Sequence, residues 1–542
     1  MKKLLIFLLL AGFIPACTPL IKPAIENAPI PTPAQTQTLI PTSRRWWQDA
    51  VFYEIFVRSF YDGNGDGIGD LNGITQKLDY LKDLGITALW LMPIYPSPSY
   101  HGYDVTNNFN INPQYGTLDD LKNLLNEAHK CGIHVILDLV LNHTSDQNPL
   151  FINSNNDLQS PDRDWYIWSD TNPGTLGPLG VAWFPGNHGF YYGVFGANMP
   201  DLNYRNPAVT AEMDKVVSFW LKDIGVDGFR LDAINYLVEE GQKQVNTQST
   251  HDWLKGFYTT YKADNPDAFT VGEVFGSDAA LAATYTGDQV DMIFNFEMAS
   301  SFINSAKGQT NSAIDSALTF SKQDMPSWQF ATFLTNHDQN RTMSVLNGSI
   351  DKAKVAAFLL LTSPGTPFIY YGEEIGMEGE KPDPAIRLPM QWTTGNNAGF
   401  TTGTPWEALG PNYQTANVVT ESADPGSLLL FYKTMITIRA NNPVLRSGAL
   451  TVLSTGNSGL YAALRVENGA VVLVLANLTG DPVRFYALSG GDSALGDGTY
   501  HPMSILGSGP FSDVTVTGGN FSNYQPLTTL PAYGKYILEF KR

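Results

Sequence analysis

The stretch Gly-Phe-Arg-Leu-Asp-Ala at Gly228–Ala233 ends an apolar, strand-like run with two charged residues, Arg230 and Asp232. Two further stretches follow the same pattern: Val-Gly-Glu-Val at Val271–Val274 and Phe-Leu-Thr-Asn-His-Asp at Phe333–Asp338. A carboxylate at the end of a buried strand costs free energy unless it lines a cavity. The three strand ends therefore predict that one rim of a sheet brings three acids to a shared cleft.

Strand-like apolar runs alternate with amphipathic helical runs over most of the chain. This alternation predicts an α/β fold, a parallel (β/α)8 barrel, also called a TIM barrel. The candidate strands are 51–60, 88–92, 134–141, 228–231, 269–272, 292–294, 330–334 and 367–371. In such a barrel the chemistry lies at the C-terminal ends of the strands, which is where the three acids fall.

Two segments do not fit the alternation. Residues from about 144 to 205 exceed the usual length of a βα loop and are rich in Asn, Asp, Gly and Pro, which predicts a small domain inserted after strand 3. Residues 444–542 contain short alternating strands with Gly-Asn and Gly-Asp turns, which predicts a C-terminal antiparallel β-sandwich. The barrel itself is assigned to residues 46–443.

The chain resembles the α-amylase family, glycoside hydrolase family 13, over nearly all of its length after Arg45. Six motifs stand in the family's order. Besides the three stretches above, they are Asp138–His143, Asn198–Asn203 and Gly365–Gly372. The Met-Pro-Asp-Leu-Asn form of the second of these resembles a group intermediate between oligo-1,6-glucosidases and neopullulanases.

The resemblance implies three catalytic acids. Asp232 corresponds to the nucleophile, Glu273 to the acid/base and Asp338 to an acid that stabilises the transition state, as cleavage with retention of configuration requires. Strand alternation places Arg230 on the same face as Asp232, where its charge favours the ionised nucleophile. The apolar neighbours of Glu273 are expected to raise its pKa, as an acid catalyst requires.

The resemblance also implies a set of substrate contacts. Tyr103 is expected to stack beneath the bound sugar, and His143 and His337 are expected to hydrogen-bond its hydroxyls. For Arg387 a surface salt bridge is an equal alternative. The full set of expected substrate-binding residues is His101, Tyr103, Asp104, His143, Arg230, His337 and Arg387.

The segment Asp62–Asp70 reads Asp-Gly-Asn-Gly-Asp-Gly-Ile-Gly-Asp. Oxygen-bearing side chains at alternate positions, spaced by glycines, can surround a Ca²⁺ ion, and the family contains such a loop after strand 1. The alternative is a glycine-rich turn with solvated carboxylates. The expected calcium ligands are the side chains of Asp62, Asn64, Asp66 and Asp70 and the carbonyl of Ile68.

Three positions bear on the branch of the family. Asn235 and Tyr236 replace a Lys and a His of many members, which leaves the family's second calcium, beside the inserted domain, undecided. Ala233 favours cleavage of α-1,4 bonds, because relatives specific for α-1,6 bonds tend to have a bulkier Val there.

The N-terminal sequence predicts where the protein is located in the cell. Two lysines precede the short apolar run Leu4–Leu10, and a small residue precedes Cys17, which is typical of a lipoprotein signal peptide with a lipobox over residues 1–17. Cys17 would carry the lipid, with a plain secretory signal as the alternative. Residues 18–45 are rich in Pro and Thr and predict a flexible tether. The expected location is extracytoplasmic, with the membrane contacted only through the lipid anchor.

These features predict a retaining hydrolase of α-1,4-glucosidic bonds in starch and maltooligosaccharides, an α-amylase that acts as a monomer. The alternatives are an α-glucosidase or oligo-1,6-glucosidase-like enzyme, and a trehalose synthase or other transglycosylase. A non-catalytic family member is disfavoured because all three acids are present. A net charge of −19 argues against nucleic acid as a partner, since binding a polyanion requires clustered basic residues.

Overall fold

A computed structural model describes residues 44–325 and 328–542. Its centre is a closed barrel of eight parallel strands, which confirms the predicted (β/α)8 fold. The strands are Phe52–Ile55, Ala88–Leu91, His134–Leu139, Gly228–Leu231, Phe269–Gly272, Met292–Phe294, Phe330–Thr332 and Thr366–Tyr370. We refer to them as the first to eighth strands. The first and eighth pair in parallel and close the barrel.

The barrel interior is packed with aromatic side chains. Phe52 and Phe368 stack in parallel with ring centroids 4.2 Å apart, and Trp47 packs on Phe269 at the N-terminal end at 5.2 Å. Rings of this size bury a large apolar area and favour such stacked and edge contacts. The lower part of the barrel is thus a solid core, and only its upper rim is open for chemistry.

Helices surround the barrel. The longer ones are Leu118–Lys130, Pro207–Ser218, Gln248–Asp264, Phe296–Gly308, Ser312–Asp324, Ile350–Thr362 and Leu428–Asn441. Shorter α-helices are Val57–Phe60, Leu71–Gln76, Leu78–Leu84, Pro149–Asn156, Ala279–Ala283, Thr342–Val345, Asp383–Ile386, Val418–Ser422 and Pro443–Arg446. Helical turns of other types are Trp46–Gln48, Arg163–Trp165, Phe219–Ile224, Ile234–Tyr236 and Asn396–Gly399.

A capping box between Thr117 and Asp120 begins the helix Leu118–Lys130, because each side chain accepts the other's backbone N–H.

The first strand is shorter than the sequence predicted. The apolar run over 51–60 was expected to be one strand, but the strand ends at Ile55 and Val57–Phe60 forms a helical turn. All four residues of that turn are buried, including the polar Arg58 and Ser59, so burial alone does not mark where the strand ends. A short, fully buried run does not show the period that distinguishes a strand from a helix.

The segment after the third strand contains a small sheet of its own. Three antiparallel strands lie in the order Trp168–Ser169, Gly189–Tyr192, Trp183–Gly186, and a hairpin pairs Leu176–Gly177 with Gly180–Val181. The ring of Phe151 packs edge-on against Tyr191 at 4.9 Å. The segment returns to the barrel through a bridge between His143 and Asp201, which places it over the open rim.

The C-terminal region is antiparallel, as predicted. A six-stranded sheet has the order Ala449–Val452, Leu460–Glu467, Ala470–Asn477, Lys535–Lys541, Gly498–Leu506, Val514–Val516, and a second sheet pairs Leu488–Gly491 with Asn520–Tyr524. The guanidinium of Arg465, fully buried, donates from Nη1 to the carbonyls of Thr362 (2.6 Å) and Leu445 (3.0 Å). This side chain joins the C-terminal sheet to the last helices of the barrel.

The predicted signal peptide, Cys17 and the predicted tether up to residue 43 lie outside the described residues. Within 44–325 and 328–542, no helix combines the length and the apolar character needed to cross a membrane. Lipidation at Cys17 stays a prediction.

Candidate active site

The three predicted acids meet at the open end of the barrel. Asp232 directly follows the fourth strand and Glu273 directly follows the fifth, while Asp338 lies in the loop after the seventh. All three line one cavity of about 430 Å³. The C-terminal ends of parallel strands converge on one rim, which explains why residues far apart in sequence share this cavity.

A single guanidinium connects two of these acids. Arg230 is buried, and its Nη1 lies 2.7 Å from Oδ1 of Asp232 and 2.9 Å from Oδ1 of Asp138. Its Nη2 lies 2.6 Å from Oε2 of Glu273. The arginine therefore fixes the positions of both carboxylates and supplies the positive charge that this acidic, buried region requires.

The pKa values of Glu273 and Asp338 are shifted in opposite directions. Burial raises the pKa of Glu273 to about 7, with the charge of Arg230 opposing this shift and that of Asp232 adding to it. Burial would also raise the pKa of Asp338, but His337 and Arg387 hold it well below its usual range. One carboxyl can thus carry a proton near neutral pH while the other stays ionised.

Arg387 lies inside the site. It is 3% exposed and lines the cavity, and its Nη2 also lies 3.1 Å from Oδ2 of Asp383, whose side chain is 37% exposed. Its Nη2 lies 2.9 Å from Oδ1 of Asp338, and its Nε donates to the carbonyl of His337 at 2.9 Å. These contacts hold the loop that carries the third acid.

His143 lines the cavity without a partner. It is 2% exposed, and neither ring nitrogen has a hydrogen-bond partner among the described residues. Burial lowers its pKa to about 4, so the ring is neutral at physiological pH. A neutral imidazole has one donor and one acceptor, which suits a sugar hydroxyl.

The remaining expected substrate contacts divide into two groups. His101 and Tyr103 line the cavity. Asp104, Arg230 and His337 are buried behind its wall and do not line it. Asp104 differs most from expectation, since its carboxylate accepts from Ser97 Oγ at 2.5 Å and from the Ser99 hydroxyl instead of facing the cavity.

Two buried acids at the site were not assigned from the sequence. Asp138 on the third strand accepts from Trp90 Nε1 at 3.2 Å and from the Tyr103 hydroxyl at 3.0 Å. Glu54 on the first strand lies against His337. The available signal was the one used for the other acids, namely a carboxylate within an apolar strand.

The cavity also has an apolar wall that the sequence did not reveal. The side chains involved are Leu179, Phe195, Met199, Tyr236 and Phe275. Leu179 comes from the hairpin of the inserted segment, and Phe275 follows the acid Glu273 by two residues. The wall lies on several loops, and loop positions have no sequence period that would identify them.

The loop after the first strand has its oxygen-bearing side chains turned inward on its own backbone. Oδ1 of Asp62 accepts from the backbone N–H of Gly65 at 2.6 Å, and Oδ1 of Asp70 accepts from that of Gly73 at 2.6 Å. Burial, and to a lesser degree the charge of Asp62, raise the pKa of Asp70. Asp62 and Asp70, together with Asn64 and Asp66 at alternate positions, supply oxygen donors of the chemical type that Ca²⁺ prefers.

No group of three or more His, Cys, Asp or Glu side chains is arranged around a shared metal position within residues 44–325 and 328–542. In the loop, Asn64 and Asp66 instead accept backbone N–H groups two residues further on. The calcium site stays a prediction.

A (β/α)8 barrel whose rim holds two carboxylates on one guanidinium, with a third acid lining the same cavity, is typical of a glycoside hydrolase, which uses a pair of carboxyl groups to cleave a sugar bond. Residues 54–448 match the family model described as the alpha amylase catalytic domain. The chain belongs to the α-amylase family, glycoside hydrolase family 13.

Three similar relatives are named for different activities. Alpha-amylase 3 of Dictyoglomus thermophilum is 42% identical over 438 residues, covering 79% of this chain and 85% of the relative. An oligo-1,6-glucosidase of Parageobacillus thermoglucosidasius is 34% identical over 517 residues, covering 80% and 91%. Trehalose synthase/amylase TreS of Mycolicibacterium smegmatis is 34% identical over 485 residues, covering 79% and 81%.

Among solved structures, the alpha-amylase from H.orenii superposes with a TM-score of 0.79 at 37% identity. The match covers 91% of this chain and 99% of that one. These comparisons show that the chain is a glycoside hydrolase of this family.

Proposed function

We propose that this chain cleaves α-1,4-glucosidic bonds of starch and maltooligosaccharides with retention of configuration, as an α-amylase. The observation that carries the proposal is the contact of Arg230 with both Asp232 and Glu273. It places the proposed nucleophile on the same guanidinium as Glu273, whose pKa burial raises to about 7, so that this carboxyl can hold a proton near neutral pH. The relative named Alpha-amylase 3 also supports this choice of substrate.

The reaction has two displacements. An oxygen of Asp232 bonds to the anomeric carbon while the bond to the leaving oxygen breaks, and Glu273 gives its proton to that oxygen. Glu273, now ionised, removes a proton from water, which attacks the same carbon and releases Asp232. Two inversions at one carbon give net retention.

The other residues of the cavity bind and orient the sugar. Asp338 stays ionised and stabilises the positive charge that develops on the sugar ring. His143 lacks a protein partner and offers its nitrogens to a hydroxyl. Tyr103 lines the floor of the cavity, where its ring can lie against a pyranose face.

Ala233 supports a preference for α-1,4 bonds. It follows the nucleophile, lines the cavity and has a φ of 46°, in the left-handed region. A β-branched residue is costly in that conformation. The small side chain also leaves room beside Asp232.

We also propose one structural Ca²⁺ in the loop after the first strand. The side chains of Asp62, Asn64, Asp66 and Asp70 and the carbonyl of Ile68 would hold it. When bound, the ion would neutralise the repulsion between these carboxylates and would take no part in the chemistry.

The proposed location is the outer face of a membrane, with Cys17 lipidated and residues 18–45 as the tether. The sequence pattern of residues 1–17 supports this proposal. The proposed partner is a starch or maltooligosaccharide chain, bound by a monomer.

Product analysis tests the assignment against its rivals. We expect maltoheptaose to be hydrolysed to shorter maltooligosaccharides, with the α-anomer formed first in proton NMR spectra. Trehalose formed from maltose would instead indicate an isomerase, as the relative named trehalose synthase/amylase TreS suggests. Faster cleavage of isomaltose than of maltotriose would indicate an oligo-1,6-glucosidase, as named for another.

A further inference from the structure

Glu54 is a buried carboxylate of the barrel that the mechanism above does not use. It lies on the first strand and is 2% exposed. Its neighbour Tyr53 points to the outer layer, where its hydroxyl bonds Glu374 at 2.8 Å. Because side chains alternate along a strand, Glu54 points into the barrel, on the same side as Phe52.

Inside the barrel, Glu54 contacts one nitrogen of His337. Oε1 of Glu54 lies 2.5 Å from Nδ1 of the ring. The other nitrogen, Nε2, lies 3.0 Å from Oδ2 of Asp338 and 2.7 Å from the hydroxyl of Tyr103. An imidazole that faces a carboxylate at each nitrogen can donate to both only when it is doubly protonated.

We propose that Glu54 is a positioning residue that keeps His337 doubly protonated, so that Nε2–H of the ring holds the carboxylate of Asp338 in place. This inference rests on the proposed function, because it specifies how the third acid of that mechanism is oriented. Glu54 acts through His337 and has no contact with the cavity itself.

The charges around the ring favour this state. Burial alone would lower the pKa of His337, but Asp338 and Glu54 raise it to about 10. Other titratable groups also face the pair from the surrounding elements. They are Tyr103, Asp138, Glu273, Tyr370 and Arg387.

These groups do not replace Glu54. Arg387 is cationic and donates to the backbone carbonyl of His337 at 2.9 Å, so it opposes a second positive charge. Asp138 interacts with His337 through its charge, but it is already bonded to Arg230. Neutralising Glu54 should therefore lower the pKa of His337 toward the ordinary value of about 6.5.

Glu54→Gln tests the charge while keeping the shape, because the amide oxygen can still accept from Nδ1. We expect kcat/KM on maltotetraose, relative to wild type, to fall roughly tenfold for each pH unit above the new pKa of His337. Between pH 5 and 8 the ratio of variant to wild type should drop by at least about tenfold. A purely structural role for Glu54 predicts a ratio that does not vary with pH.

Two variants serve as controls. Glu54→Asp keeps the charge and should show a reduced but pH-independent ratio. Tyr53→Phe removes a buried hydrogen bond from the same strand without touching His337, and its ratio should also be independent of pH. A pH trend in Tyr53→Phe equal to that of Glu54→Gln would overturn the proposal.

A second readout does not depend on activity. Imidazole ¹⁵N shifts of protein labelled at its 8 histidines report the charge of each ring, and the spectrum of His337→Asn assigns the resonance. We expect an imidazolium at pH 8 in the wild type and a neutral ring in Glu54→Gln. A neutral His337 in the wild type at pH 8 refutes the inference, whereas an imidazolium in a protein that cleaves no maltooligosaccharide refutes only the proposed function.

Discussion

Nη2 of Arg230 lies 2.6 Å from Oε2 of Glu273, so the proposed acid/base is ion-paired in the free enzyme. Such a contact favours the ionised form, whereas the first chemical step requires the protonated form. Burial outweighs it and leaves the pKa of Glu273 at about 7. The same guanidinium lies 2.7 Å from Oδ1 of Asp232, so one residue contacts both carboxylates of the reaction.

Substitution of Glu273 and substitution of Asp232 should reduce activity to different degrees. Glu273→Gln keeps the shape but removes proton transfer, a function worth roughly 10²–10⁴-fold, so kcat on maltotetraose should fall by that factor while substrate binding persists. Asp232→Ala should have no measurable activity on this substrate. Both effects are measured by steady-state kinetics and by calorimetric binding of maltotetraose.

Azide distinguishes the roles further. With an activated aryl α-glucoside, azide should restore turnover in Asp232→Ala and in Glu273→Ala and give glycosyl azides of opposite anomeric configuration. The same anomer from both variants would contradict the assignment of nucleophile and acid/base.

The pH dependence should follow the proton of Glu273. Because the protonated form acts first, kcat/KM should be high below pH 7 and fall as the pH rises through the pKa of about 7. The charge of Arg230 lowers this pKa, so Arg230→Gln should move the alkaline limb to higher pH while reducing the maximum rate. An alkaline limb that stays in place or moves to lower pH would show that another group controls it.

The sequence predicted the barrel and two of its acids for a clear physical reason. Asp232 and Glu273 stand one residue beyond apolar strands, where a charge is tolerated only at an open rim. The sequence did not identify Glu54 in this way, because the predicted strand extended to residue 60 and Glu54 then lay within it and not near its end. Side chains in loops were less predictable, since Asp104 turns toward two serine hydroxyls that no sequence period connects to it.

Arg465 should be a strong determinant of stability. In Arg465→Met the carbonyls of Thr362 and Gly448 lose the guanidinium as their donor, whereas that of Leu445 keeps Arg439. Each buried group left unpaired costs about 1–3 kcal/mol. We expect a loss of about 3 kcal/mol in the free energy of unfolding, measured by urea denaturation. Arg45→Met is a matched control, because this arginine is 48% exposed and its ion pair with Asp267 is worth under about 1 kcal/mol. An equal loss of unfolding free energy in both variants would contradict the prediction that Arg465 contributes more to stability than an exposed arginine.

The proposed calcium should affect stability before activity. A ligand that binds only the folded state raises its stability by mass action. Chelation after prolonged dialysis should therefore lower the melting temperature, while turnover at ambient temperature changes little. Asp66→Ala should abolish this sensitivity to chelator, and Asp170→Ala, in the inserted segment, should retain it. Identical melting of the wild type with chelator and with millimolar calcium would mean that the loop is only a turn.

Ala233 offers a test of bond preference. Its φ of 46° places it in the left-handed region, where a β-branched side chain is strained by roughly 1–3 kcal/mol. Ala233→Val should lower the melting temperature and reduce kcat/KM on maltotriose, because the added methyl groups enter the cavity beside Asp232. Ala233→Gly relieves the strain without adding volume and is the matched control, expected to keep the wild-type preference for maltotriose over isomaltose. If Ala233→Val leaves the ratio of kcat/KM on these two sugars unchanged, the residue does not determine bond preference.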